Sequence, residues 1–369
     1  LGAPVIAAVT RALDAVLGRG ESAVTVPVMD GPLKPNRALD AMPRIAAVPA
    51  LDNLARTTDG VLFSSGATLH ALDGTIVATF EHEITFAVAG PDGTLALGLE
   101  GGGIALRGGP HDGKRIQLAR GPLGCLTAAA FDDPRTLIVA QGATNRPASA
   151  WRHDVMLNGR TGAVWRIDLD SGEASLIRGK LGWPWGVALA DDGALFVAES
   201  WRHRVLRIDA RTGGGGDVVV SDLPGYPARI VPARRGGYWL AFASVRNQLV
   251  ELILREPGYR DRMMAEVPEA YWMAPAFSSG GSFLEPMQGS GLKQMGQMKP
   301  WAGTRSYGLV VRCDTAMQPV RSWHSRADGR VHGVVALCED GADLLAAAKG
   351  PGQLLRLDGV AGEPVGAPS

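Results

Sequence analysis

The sequence predicts an all-β protein, a six-bladed β-propeller with a short N-terminal helix and a helical and loop insertion in blade five. Three observations predict it. First, short apolar runs recur in pairs around Asp-Gly or similar polar turns, as in Phe86-Ala87-Val88, then Pro91-Asp92-Gly93, then Thr94-Leu95-Ala96-Leu97. Glycine accepts the positive φ that tight hairpins need, so this is a hairpin signal. Second, six such units follow one another at a period of about 40–50 residues, the mark of a propeller. Third, 49 glycines and 24 prolines in 369 residues favour many turns over long helices.

The elements follow in order. Val5, Ile6, Val9, Leu13, Val16 and Leu17 share one face at helical spacing, and Gly18 and Gly20 stop the helix. The β-prone stretch 23–28 is expected to close the ring by joining the last blade, which would leave no long free edge. Residues 1–41 thus form a lead-in and residues 42–369 the propeller. The units turn at Asp59-Gly60, Asp92-Gly93, Asp132-Asp133-Pro134, Asp192-Gly193, Gly236-Gly237 and Asp340-Gly341. A polar excursion, 142–160, interrupts the third unit. A longer one, 249–305, interrupts the fifth. It is helical to about Val267 with a break at Pro257-Gly258, then rich in Gly, Ser, Pro and Met. Long aperiodic connections are functional or mobile, and flexible Met side chains suit adaptable contacts. The stretch is a candidate lid over one end of the ring.

Composition excludes several classes. Thirty-seven basic and 37 acidic residues cancel, so there is no electrostatic footprint for nucleic acid. No apolar run is long enough to cross a membrane, and no secretory signal is visible. The chain starts at Leu1, so an upstream anchor or fusion stays open, with a slight lean toward a soluble cytoplasmic domain. Cys125, Cys313 and Cys338 lie far apart and are expected as buried free thiols. The Gly runs sit at hairpins with no helix behind them, and no Gly-x-Ser-x-Gly elbow exists, which argues against nucleotide binding and serine hydrolysis of that type.

Some strings are more specific. Gly182-Trp183-Pro184-Trp185-Gly186-Val187-Ala188-Leu189, Leu195-Phe196-Val197-Ala198-Glu199-Ser200, and Leu223-Pro224-Gly225-Tyr226-Pro227 resemble blades four and five of strictosidine synthase-like proteins. Ser149 to Asp154 resembles that family's third-blade excursion. The resemblance covers about residues 42–358 and places the chain with gluconolactonase-like (SMP-30) and paraoxonase-like propellers. It implies an axial small-molecule pocket and chemistry such as lactone or ester hydrolysis, or Pictet–Spengler condensation in the plant synthases. It also implies what is missing. Metal-dependent relatives hold calcium with carboxylates and carboxamides at the axis, and Ca²⁺ needs about six to eight oxygens. Here Asp52 and Asn53 stand at the blade-one position, Trp185 and Ala228-Arg229 at the later ones, and calcium is disfavoured. The condensing enzymes use a Glu two residues after a His early in blade six. His332 matches the His, but Val334 replaces the Glu, so strictosidine synthase activity is not expected.

The residue types left at the inner-strand starts suggest a metal-independent site. His332 is the candidate general base and Asp52 its orienting partner or the partner of Arg229. Trp185, Arg229, Asn53 and His153 are candidate substrate-binding residues. Arg229 points to an anionic small-molecule ligand. The leading reading is an ester or lactone hydrolase; the alternative is a non-catalytic small-molecule or partner-binding propeller. A plain Asp52–Arg229 ion pair with His332 bonded to backbone is the bland outcome. Glu199 and Arg204 read as a pair inside blade four, and His324 as a turn residue.

Overall fold

The computed structural model describes residues 26–101, 103–117, 124–287, 293–295 and 297–364. The expected helix at residues 4–17 lies outside them. Six four-stranded antiparallel sheets follow in chain order. Their first strands, Leu51–Thr57, Ile84–Ala89, Leu126–Asp133, Pro184–Leu189, Gly225–Pro232 and Val334–Asp340, pack side by side around the axis. This is the expected six-bladed propeller.

Ring closure differs from expectation. Residues 26–28 form no strand. Arg44–Ala47 closes the ring instead, pairing antiparallel with Gln353–Leu357 in register Ala47↔Gln353. Chain length explains this: a fourth strand must lead directly into Leu51, and residues 48–50 are the turn that reaches it.

Second strands read as continuous apolar runs because neighbouring blades cover both faces. Leu95–Leu99, Ala194–Glu199 and Tyr238–Val245 are buried throughout. Phe86, Ile104, Leu137 and Val139 form one such core between blades two and three. The hairpin turns work as their sequences imply. Gly93 and Gly193 have φ of 84° and 80°. The preceding Asp92 and Asp192 accept bonds from the amides of Thr94 and Ala194 at 2.9 and 3.1 Å. The three cysteines are buried free thiols.

Gly186 sets the spacing of blades four and five. A Cβ there would lie 2.2 Å from the carbonyl oxygen of Ala228 and 3.0 Å from Cα of Arg229. Gly186→Ala is therefore expected to cost about 1–3 kcal/mol by overpacking. Gly258, with nothing within 4 Å of a built Cβ, is the control, and Gly258→Ala should be neutral or slightly stabilising. Urea denaturation of both variants checks this; equal midpoints would sink it.

The excursion of blade three folds as helix α1, Trp151–Met156. The blade-five insertion carries α2, Gln248–Ile253, and α3, Pro257–Glu266. Asn247 caps α2 by accepting from the Leu249 amide at 2.9 Å, and Pro257 opens α3 as a residue that needs no amide partner. Buried Arg246 ties the insertion's start to the propeller through Glu251 at 3.3 Å and Asp222 at 2.5 Å. Blade five then resumes at Gly308–Cys313 and Pro319–Ser325.

Candidate functional site

The starts of the inner strands, α1 and the insertion enclose a cavity of about 230 Å³ at one mouth of the channel. Its floor is ionic. Arg229, from blade five, reaches across the axis to three other blades. Nη1 donates to the Asp52 carboxylate at 2.9 Å, to the Asp52 carbonyl at 3.0 Å and to the Val335 carbonyl at 3.2 Å. Nη2 donates to the Thr85 carbonyl at 2.7 Å. The other Asp52 oxygen accepts from Lys349 Nζ at 2.6 Å. Burial pushes the Asp52 carboxyl up, but Lys349 and Arg229 together outweigh it and hold the group below its ordinary range. Asp52 is thus a fixed anion between two cations, and a poor proton acceptor.

That floor answers whether calcium suits these residues. The Asp52 carboxylate is already paired with two cations, and the carbonyls beside it are turned to a guanidinium. Among the described residues no group of three or more His, Cys, Asp or Glu side chains could hold a metal. The donor set does not fit a hard divalent cation.

The walls are aromatic. Trp151 of α1, Trp185 of blade four and Phe277 of the insertion meet at centroid distances of 4.7–6.1 Å. Lys349 lies 5.5 Å from the Phe277 ring. Trp183 stacks on Trp201 at 5.3 Å, and Trp201 Nε1 donates to Asp154 of α1 at 2.8 Å. Trp183 has φ of 53°, a left-handed conformation costly for a bulky residue, of the kind that collects at functional sites. Gly142 makes it possible by packing flat on the indole, where a Cβ would come within 2.9 Å. Trp183 Nε1, Thr85 Oγ1 and Arg229 Nε are buried polar atoms with no hydrogen-bond partner in the structure. All three residues line this cavity, as do the carboxylate-bearing Glu83 and Glu100. Glu100 accepts from Ser149 Oγ at 2.7 Å.

The structure brings together Asp52, Arg229 and Trp185 of the residues expected from sequence. It places the others elsewhere. His332 lines neither the mouth nor the channel below it. Its Nε2 bonds the Arg326 carbonyl at 2.9 Å and its Nδ1 the Ser306 hydroxyl at 2.8 Å. Burial lowers its pKa, so both nitrogens are engaged in a neutral ring. Asn53 points between blades one and two, where Nδ2 donates to Ser64 Oγ and the Ile84 carbonyl. The reason is strand alternation: Asp52 and its neighbour cannot both face the axis. His153 sits at the rim against Trp272 at 4.6 Å and near Glu269 at 3.5 Å. His324 is not a turn residue; it is fully buried near the end of Pro319–Ser325, bonded to Tyr307 Oη and Ser322 Oγ. Glu199 accepts from Arg204 at 2.7 Å and from the Gly182 amide, steadying the Trp183 turn.

Sequence reasoning missed Lys349, Trp151, Phe277 and Thr85. Lys349 had a signal, a lone cation ending the apolar run Leu344 to Ala348. Phe277 had none, since its approach depends on how the insertion folds back. The segment leading to it is docked by Arg305, which donates to the carbonyls of Ala270 at 3.0 Å and Ala274 at 3.4 Å. Part of the insertion thus covers the mouth. Phe283, Leu284, Met295 and Trp301, farther along it, are exposed.

Comparison with known proteins agrees with this architecture. Residues 181–208, in blade four, match the NHL repeat. Adipocyte plasma membrane-associated protein of Danio rerio is 32% identical over 97 residues, 26% of this chain and 23% of that protein. Its Bos taurus counterpart is 34% identical over 142 residues, 34% of each chain. Strictosidine synthase-like 13 of Arabidopsis thaliana is 26% identical over 170 residues, 42% of this chain and 41% of that one. The matches therefore span well under half the length of these relatives. Among solved structures, regucalcin of Agrobacterium tumefaciens superposes with a TM-score of 0.53 at 11% identity, over 86% of this chain and 94% of that one. A Xanthomonas campestris gluconolactonase superposes at 0.52 and 13%, over 90% and 96%. At such identities the superpositions speak for the fold. Among the described residues no helix is long and apolar enough to cross a membrane. The chain is thus a six-bladed β-propeller, with homologues over part of its length among adipocyte plasma membrane-associated and strictosidine synthase-like proteins and with gluconolactonase-type propellers as neighbours in fold.

Proposed function

We propose that the chain binds a small carbonyl compound, an anionic one in preference, in the mouth cavity without a metal. Hydrolysis of an ester or lactone is the leading reaction. The observation that carries the reading is the cavity wall itself. Three buried polar groups without protein partners stand beside the Lys349 ammonium and against a tryptophan and phenylalanine wall. Buried donors left unpaired are costly, so a site built this way favours a ligand that brings acceptors. A carbonyl or carboxylate oxygen would take bonds from Lys349 and Trp183, and the apolar body would lie on Trp151, Trp185 and Phe277. For hydrolysis, water would add to the carbonyl carbon, its proton passing to Glu83 or Glu100, and the alkoxide leaving group would take up a proton. The Lys349 charge would stabilise the oxyanion. Gluconolactonase-type structural neighbours support the reaction class by analogy of fold alone.

The second reading is binding without turnover. It is favoured by Asp52 being held between two cations and by His332 being engaged away from the cavity.

A panel of aryl esters and lactones, with titration followed by tryptophan fluorescence, tests both. Lys349→Met is expected to weaken an anionic ligand about tenfold to a hundredfold, the loss of a charged hydrogen bond. Glu83→Gln with Glu100→Gln is expected to lower turnover by about 10²-fold or more with little change in affinity. Turnover that survives the double change assigns the base elsewhere, and affinity that survives Lys349→Met removes the proposed ligand pose.

A further inference from the structure

The opposite end of the channel holds a second, larger cavity of about 620 Å³, for which the mouth site has no use. Every blade contributes apolar residues to its wall, among them Leu54, Val88, Ala129, Leu189, Val231 and Leu337. The space exists because small side chains, such as Ala87 and Ala129, stand where larger ones would fill the axis. Its size falls in the range of about 300–1,000 Å³ typical of small-molecule sites. Arg229 borders both cavities and lies between them. Since its guanidinium is held by three blades, the two spaces are separate sites, not one tunnel.

The charge on this wall is uneven. Arg56, Arg229 and Arg234 line it against a single carboxylate, Glu339. Glu339 is already used: it accepts from Trp239 Nε1 at 2.7 Å and from Arg234 Nε at 3.0 Å. Its neighbour Asp340 pairs with Arg56. Consecutive residues of blade six therefore hold Arg234 on one side and Arg56 on the other. Both guanidiniums border the same cavity, and each keeps N–H groups beyond those given to its carboxylate and, for Arg234, to the Gly341 carbonyl. An apolar shaft with a paired guanidinium rim suits a molecule with an apolar body and one anionic end.

We infer that this second cavity binds a medium-chain carboxylate, its hydrocarbon in the axial shaft and its carboxylate between Arg56 and Arg234. The test uses the full chain with decanoate and decanol, followed by calorimetry. Decanoate is expected to bind once per chain and at least tenfold more tightly than decanol. Arg56→Gln with Arg234→Gln should cost decanoate about tenfold and leave decanol unchanged; both positions are half exposed or more, so folding should survive. Ala129→Phe should remove both ligands, with native circular dichroism confirming that the chain still folds. If Ala129→Phe misfolds, protection of Ala129→Cys from a thiol reagent by decanoate replaces it. No decanoate binding at millimolar concentration, equal affinity for decanol, or indifference to the double Arg change overturns the inference. Lys349→Met should leave decanoate binding unchanged, which separates this site from the mouth; a parallel loss would assign the ligand to the mouth instead.

Discussion

Arg229→Ala is expected to lower the melting temperature more than any other single change at the mouth. The guanidinium supplies hydrogen bonds to Asp52, Thr85 and Val335 across the axis. Its removal leaves three carbonyls without that donor and one carboxylate paired to Lys349 alone. Deleting one partner of a fully buried ion pair costs about 3–5 kcal/mol; this pair is part-buried, so a loss at the low end, about 3 kcal/mol, is expected. For a chain of this size the unfolding entropy makes that a fall on the order of 5 °C. Arg229→Lys should recover only part of it, because an ammonium cannot fork to four oxygens spread over three strands. A scan of the three proteins side by side decides the matter. If Arg229→Ala melts with the native chain, the cross-blade bonds contribute little and the plug is not structural. Calcium added to Arg229→Ala gives a further reading: removal of the guanidinium frees the oxygens it occupies, but Lys349 still competes for Asp52, so only weak rescue is expected.

The second large effect is on acid stability. His324 is fully buried; burial, with Arg326 adding to it, lowers its pKa from the ordinary 6.5 to about 4. The unfolded chain therefore takes up this proton first as pH falls. Stability is fully present above about pH 6.5 and declines as pH falls toward 4, below which both states are protonated. Over that window the single group removes about 3 kcal/mol. His332, lowered in the same direction by burial, adds to the slope. His324→Gln cannot titrate, so the loss of denaturation free energy between pH 6.5 and 4 should shrink by about that amount even if the variant starts less stable. Parallel pH profiles for the two proteins would show that His324 is not the group responsible.

Particular residues show how far the sequence was readable. The blades were legible because a hairpin is local: Asp92-Gly93 and Asp192-Gly193 set the turn, and the apolar runs beside them set the strands. The insertion's place in blade five was legible for the same reason, as a gap in a regular period. Three of the six proposed site residues, Asp52, Trp185 and Arg229, do line the mouth. Their position followed from the repeat, which marks where each inner strand begins. Asn53, His153 and His332 do not line it. For Asn53, the period-two alternation of a strand decides which neighbour faces the axis, and Asp52 takes that place through its two cations. For His332, the residues that claim its nitrogens, Ser306 and Arg326, lie 26 and 6 positions away, the first at the end of an insertion whose return path no local pattern specifies.

The sequence by itself determined the number of blades, the turns between their strands and the buried thiols. These rest on periodicity and residue type, both readable along the chain. Only the tertiary structure decided that Arg44–Ala47 closes the ring, that Lys349 shares Asp52 with Arg229, that Phe277 and Trp151 wall the mouth, and that a second apolar cavity lies beyond the Arg229 plug. Each of these joins residues far apart in sequence, and in a propeller such contacts depend on how all six blades meet at one axis.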